Sequence, residues 1–138
     1  MYIFKLMAAT AVGLTFSVVF LYLGHIAKGG ILSMLMNSNL FFHLIIPLLS
    51  IIVFTIFEKT NKMSFIHTLY GLIPLAVYGL IYMPNIITHI HNGKVSAQYD
   101  YYNYFQKGVL IAVIAFTVQY IVMYLITVLL WKFNKKTK

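Results

Sequence analysis

The chain of 138 residues has no cysteine and no arginine, and its only acids are Glu58 and Asp100. Without cysteine there are no disulfides, no thiolate chemistry and no thiolate-held zinc. With so few acids, no pair of carboxylates falls inside an apolar run for acid and base catalysis, and the lack of embedded acids argues against an ion pump. No G-x-S-x-G, H-E-x-x-H or phosphate-binding Gly-rich motif occurs either. What is there is apolar: 62% of the residues are hydrophobic, 17% aromatic and 9% charged. A soluble domain this small must turn a large share of its residues to water and could not hide that much apolar surface, so the solvent implied is a bilayer.

The net charge of +8 comes from ten lysines. They stand at the ends of apolar runs and in a C-terminal cluster, Lys132, Lys135, Lys136 and Lys138, as juxtamembrane anchors for anionic lipid headgroups do. No polar segment interleaves bases with stacking aromatics, so no nucleic-acid partner is expected.

Four apolar runs, about residues 6–23, 40–57, 69–90 and 109–131, are each near the roughly 20 residues that a helix rising about 1.5 Å per residue needs to cross about 30 Å of hydrocarbon. The backbone must satisfy itself in lipid, so these runs predict an all-α membrane protein, a bundle of four transmembrane helices forming a single domain over 1–138. Pro47, Pro74 and Pro84 then mark kinks or boundaries inside helices. With four spans, Lys5, Lys59, Lys62 and the four tail lysines share one side, and Lys28, Lys94 and Lys107 the other. That asymmetry predicts a multi-pass protein of the cell membrane with both termini cytoplasmic. A cleaved secretory signal is the weaker reading of the N-terminus, because the run exceeds a usual apolar core and no small-x-small site follows.

The polar residues inside the runs are the functional candidates. An ionisable group in hydrocarbon is costly, and His43 lies in the second run, roughly 6 Å in from Asn39. Tyr82 and Asn85 on the third run fall at about the same depth, near the non-cytoplasmic face. Residues four apart share a helix face, which groups Asn39, His43 and Pro47; Tyr70, Pro74, Tyr78 and Tyr82; and Thr117, Tyr120, Tyr124 and Thr127. Turned inward, these stripes form a polar His/Asn/Tyr cluster. Turned to lipid, each unpaired group costs several kcal/mol. The expected site is therefore His43 as the catalytic candidate with Thr117 as a hydroxyl, and Asn39, Tyr78, Tyr82, Asn85 and Tyr120 as ligand contacts.

The other features read more plainly. Ala9, Gly13 and Ser17 make a small-residue ridge on the first helix, suited to close packing within the chain or to a homodimer. His89 and His91 alternate, do not share a helix face and have no further ligand nearby, so they read as solvated loop; no metal or other cofactor is expected. The stretch "YDYYNYF" at 99–105 reads as an interfacial aromatic element.

The segments "NLFFHLIIPLLSIIVFTIFEK", "TLYGLIPLAVYGLIYMPNII" and "YLITVLLWKFNKK", with the Asn39–His43 spacing, Pro47, the Pro74–Tyr78 spacing and Asn134, resemble bacterial membrane proteins related to the androgen-induced-gene-like family of lipid hydrolases. In its animal members, which hydrolyse fatty-acid esters of hydroxy fatty acids, the resemblance implies a threonine nucleophile on an early helix and a histidine on a later one. His43 is similar to that histidine in context. The family has about six spans and this chain matches from the third, so the first two are expected to be missing, and Thr15 does not match the family's threonine. By depth Thr15 lies roughly 6–8 Å below His43, too far for direct proton transfer, so another hydroxyl such as Thr117 would have to serve.

Two functional expectations follow. The first is an integral membrane protein whose polar cluster stabilises the bundle or binds lipid. The second is an intramembrane lipid ester hydrolase with His43 as general base and Tyr82 and Asn85 as orienting or oxyanion donors. A transporter or channel subunit is less favoured, because no span is charged or unwound.

Overall fold

The structure is a computed structural model, and it describes residues 1–91, 94–95, 98–100, 102 and 104–135. The tail residues Lys136 and Lys138 lie outside the described residues, as do positions 101 and 103 of the aromatic stretch, and the side chain of His91. Four helices are long and apolar enough to cross a membrane: α1 (Tyr2–Ile26), α2 (Ser38–Phe57), α3 (Phe65–Thr88) and α4 (Val109–Asn134). They form an all-α bundle. Every helix passes its expected run at one end or both, because a helix need not stop where hydrocarbon ends, with α1 beginning before Lys5 and α4 running through Lys132 to Asn134, whereas α3 stops at Thr88, short of the expected residue 90.

The helices depart from regular geometry where proline and tight packing require it. Pro47 has no N–H for the carbonyl of His43, four residues earlier, and the turn before it, Phe41–Ile45, is widened to π geometry. α3 opens with tight 3₁₀ turns over Phe65–Leu72 and becomes regular at Ile73, next to Pro74. Its start is capped by Ser64, whose amide donates to Nδ1 of His67 at 2.9 Å. Between α3 and α4 a short antiparallel rung pairs Ile90 with Val95 and His91 with Lys94.

α1 is the hub, packing against α2, both parts of α3, and α4. Leu6, Thr10 and Val19 on it are essentially inaccessible. A Cβ on Gly13 would meet Ile126 of α4 at 3.1 Å and Ile51 of α2 at 3.8 Å. The Ala9 and Gly13 part of the small-residue ridge is thus packed within the chain, and Ser17 hydrogen-bonds the Gly13 carbonyl. α3 and α4 are closest at Gly71, where a Cβ would stand 2.3 Å from the Thr127 hydroxyl, and they diverge beyond it. Three apolar clusters follow one another along the bundle, around Leu6 and Leu130, around Leu14 and Met123, and around Tyr82 and Ile86. The outer faces carry exposed Leu21, Phe57, Leu80 and Leu110, a surface suited to acyl chains and not to water.

The bundle has two distinct ends. At the terminal end Lys5 pairs with Glu58, and the side-chain amide of fully buried Asn134 donates to the carbonyls of Phe54 and Glu58. Those carbonyls close α2, so Asn134 supplies partners that the helix end lacks. The Trp131 indole donates to the Met63 carbonyl at 3.0 Å. The far end is closed by the loop that follows α3.

Candidate functional site

Asp100 builds the far end. It is fully buried, and its Oδ1 accepts from the Tyr82 hydroxyl at 2.7 Å and the Tyr104 amide at 3.2 Å, while Oδ2 accepts from the amides of Phe105 at 3.0 Å and Gln106 at 3.3 Å. A carboxylate that collects one phenol and three successive amides turns the chain back over the bundle and holds it there. Tyr104, drawn inward by that turn, accepts from the side-chain amide of Gln119 on α4 at 2.9 Å. Burial pushes the Tyr104 phenol well above the usual tyrosine range, and the neighbouring Tyr22, Tyr102 and Asp100 add to this while the Gln119 hydrogen bond opposes it. Tyr102 is held between its neighbours: its carbonyl accepts from the Tyr22 hydroxyl at 2.8 Å, and its ring stacks on Tyr104 and stands edge-on to Tyr78 and Tyr82.

Beneath Tyr102 is a cavity of about 290 Å³ reached by all four helices. Its walls are mostly apolar, from Leu14 and Val18 of α1, Leu75 of α3 and Met123 of α4, and its polar margin consists of His43, Tyr78, Gln119 and Thr15. The volume is at the lower end of small-molecule sites, which are similarly apolar with a few converging polar groups. His43 is partly buried in the widened turn before Pro47, and its Nδ1 is buried without a hydrogen-bond partner. An imidazole nitrogen left so in hydrocarbon has unspent capacity to bind.

The structure brings only part of the expected cluster to this cavity. His43 and Tyr78 line it together. Tyr82 does not; it is buried with its hydroxyl committed to Asp100, one turn along from Tyr78, on whose ring it stacks at 5.4 Å. Asn39 and Asn85 are exposed, and it is the backbone carbonyl of Asn85, not its amide side chain, that meets Thr88 and His89. Thr117 and Tyr120 line a different space, an outward-facing groove of about 670 Å³ between the diverging parts of α3 and α4. The expected pairing of His43 with Thr117 is therefore corrected. Thr117 gives its proton to the carbonyl of Val113 at 2.8 Å and faces outward without penalty, because a threonine on a helix can satisfy itself one turn back.

Thr15, set aside by depth, shares the cavity with His43. Its hydroxyl donates to the Ala11 carbonyl at 3.2 Å, so the two line one space without touching through a hydrogen bond among the described residues. Two contributors went unread in the sequence. Gln119 is the only amide inside the α4 apolar run, and a primary amide cannot satisfy itself on its own helix as a threonine does; that was a readable signal. Asp100 had a weaker one, a lone acid followed by a stretch that has to turn back into the membrane. Among the described residues no three His, Asp or Glu gather as for a metal, and His89 stacks on Tyr99 at 3.7 Å.

Comparison of the chain with protein-family models, curated proteins and solved structures finds no match.

Proposed function

We propose that this integral membrane protein holds an amphipathic lipid in the cavity under Tyr102, with the acyl part against Leu14, Val18, Leu75 and Met123 and the polar part at His43 and Tyr78. The observation that carries this reading is the buried, unpartnered Nδ1 of His43 beside a mostly apolar space within the membrane region. A lipid supplies both things such a site lacks, hydrocarbon to fill it and a hydroxyl or ester group to meet the imidazole. The lysine asymmetry supports a cell-membrane protein with cytoplasmic termini, which sets the cavity toward the non-cytoplasmic leaflet.

The test is photo-crosslinking with a diazirine-bearing monoacylglycerol. Labelled peptides are expected from α1 and α3 around the cavity. Ala11→Trp, which fills the space, and His43→Ala are expected to lower labelling there while helicity by circular dichroism is kept. Labelling spread evenly over the outer faces and insensitive to both changes would overturn the proposal.

One observation favours a second reading, ester hydrolysis in the manner of the androgen-induced-gene-like hydrolases: Thr15 and His43 line the same cavity. In that reading His43 takes the Thr15 proton as Oγ1 attacks a bound ester carbonyl, and the alcohol leaves with a proton returned by the imidazolium. A water deprotonated by His43 then cleaves the acyl-threonine, releasing the fatty acid and restoring the Thr15 hydroxyl. A fluorophosphonate probe would then label wild type and fail on both Thr15→Ala and His43→Ala. Absence of labelling in wild type would remove this reading and leave lipid binding intact.

A further inference from the structure

At the opposite end of the bundle a second groove, of about 410 Å³, runs between α2 and α4. Ile51 and Thr55 line it on α2, followed at the same four-residue interval by Lys59 just past the helix end; Ile126, Leu129 and Phe133 line it on α4. From Ile51 to Lys59 is about 12 Å along a helix axis, so the groove starts among acyl chains and reaches the headgroup level at the ammonium. Its width is set by hydrogen bonds and is not slack: Asn134 ties the end of α4 to the Phe54 and Glu58 carbonyls, and the Thr60 amide donates to the Asn134 carbonyl at 3.2 Å. Thr55 adds no unsatisfied group, because its hydroxyl donates to the carbonyl of Ile51 at 2.7 Å.

The charge at this end is unbalanced. Glu58 is engaged by Lys5, and Asp100 is buried at the far end, so among the described residues no side-chain carboxylate remains for Lys59, Lys62, Lys132 and Lys135. Lys135 lies over the Trp131 ring at 3.9 Å and Lys62 near that of Tyr2 at 5.9 Å. Among the described residues Lys59 has no such ring, and it stands exposed at the mouth of an apolar channel. An ammonium placed at the membrane surface above a hydrocarbon-lined slot is complementary to one kind of molecule, an anion carrying an acyl chain.

We propose that this groove binds an anionic phospholipid, one acyl chain lying between α2 and α4 and the phosphate meeting Lys59. The site is separate from the cavity under Tyr102, and neither needs the other.

Native mass spectrometry of the protein released from nanodiscs of phosphatidylglycerol or of phosphatidylcholine tests it. Wild type is expected to retain phosphatidylglycerol in preference to phosphatidylcholine. Lys59→Gln is expected to lower that retention about fivefold, the factor that one lysine near an anionic surface contributes, whereas Lys28→Gln at the other end leaves it unchanged. Leu129→Trp, at a lipid-facing position, fills the groove without touching a charge and is expected to lower retention of both lipids. Equal retention of the two lipids by wild type, equal effects of Lys59→Gln and Lys28→Gln, or undiminished retention by Leu129→Trp would each overturn the proposal. So would a thermal shift with glycerol phosphate alone as large as that with phosphatidylglycerol, which would assign the site to a free anion.

Discussion

Asp100 shows how much one residue can organise in a chain so poor in acids. It accepts from four donors, of which the Tyr82 hydroxyl and the Tyr104 amide are in buried hydrogen bonds and the amides of Phe105 and Gln106 in partly buried ones. Asp100→Asn keeps one acceptor oxygen and turns an NH₂ toward donors, so it is expected to cost roughly 1–3 kcal/mol, the range for a buried group left unsatisfied. Thermal melting in detergent would show this as a lowered midpoint. Tyr104 gives a prediction in pH. Its folded phenol ionises only above the ordinary tyrosine range, so the unfolded chain loses its proton first, and stability is kept below about pH 10 and lost as pH rises beyond it. Melting midpoints between pH 8 and pH 11 should therefore fall, and Tyr104→Phe should make that fall shallower.

At the scale of helices, the order of inward-facing groups is set by who can satisfy itself. Thr15, Ser17, Thr55 and Thr117 all give their protons to a carbonyl one turn back on their own helix. Gln119 and Asn134 have no such option and face inward, with Met123 and Thr127 between them on one side of α4. Stripes of threonine and tyrosine in the sequence therefore mark the inner face poorly: of the Thr117–Tyr120–Tyr124–Thr127 stripe, Thr117 is exposed and Tyr120 and Tyr124 are only partly buried. Thr127 alone of that set is fully buried, 3.3 Å from the hydroxyl of Thr10. The contact of α3 with α4 rests on Gly71, where a Cβ would meet Thr127 at 2.3, 2.4 and 2.9 Å. Gly71→Ala is expected to destabilise by about 1–3 kcal/mol through overpacking. Gly79→Ala is expected to be neutral by the same melting assay, since its nearest neighbour, the Tyr120 hydroxyl, would be 3.9 Å away.

For the whole molecule, the two ends differ in kind. The far end is closed by a buried carboxylate and a set of tyrosines, and the terminal end by Asn134, Trp131 and a surplus of lysine. The proposed orientation can be measured directly because the chain has no cysteine to give background. Lys28→Cys is expected to react with a membrane-impermeant maleimide in intact cells, and Lys135→Cys only after permeabilisation. The reverse pattern would invert the topology and move the His43 cavity to the cytoplasmic leaflet, leaving its chemistry unaltered.

The helices themselves were legible from residues alone, because in hydrocarbon an apolar run of sufficient length has no alternative to helix. So was the two-ended distribution of lysine, whereas the place of His43 on the cavity wall came from the structure. Tertiary structure decided the rest: that Asn39 and Asn85 are exposed while Gln119 is buried, that Tyr82 serves Asp100, and that Thr15 shares the cavity of His43 and Thr117 does not. The physical reason is that spacing along one helix says which residues share a face, but only packing against three other helices says which face is inside. Hydroxyls that bond their own backbone leave no sign in the sequence of where they point.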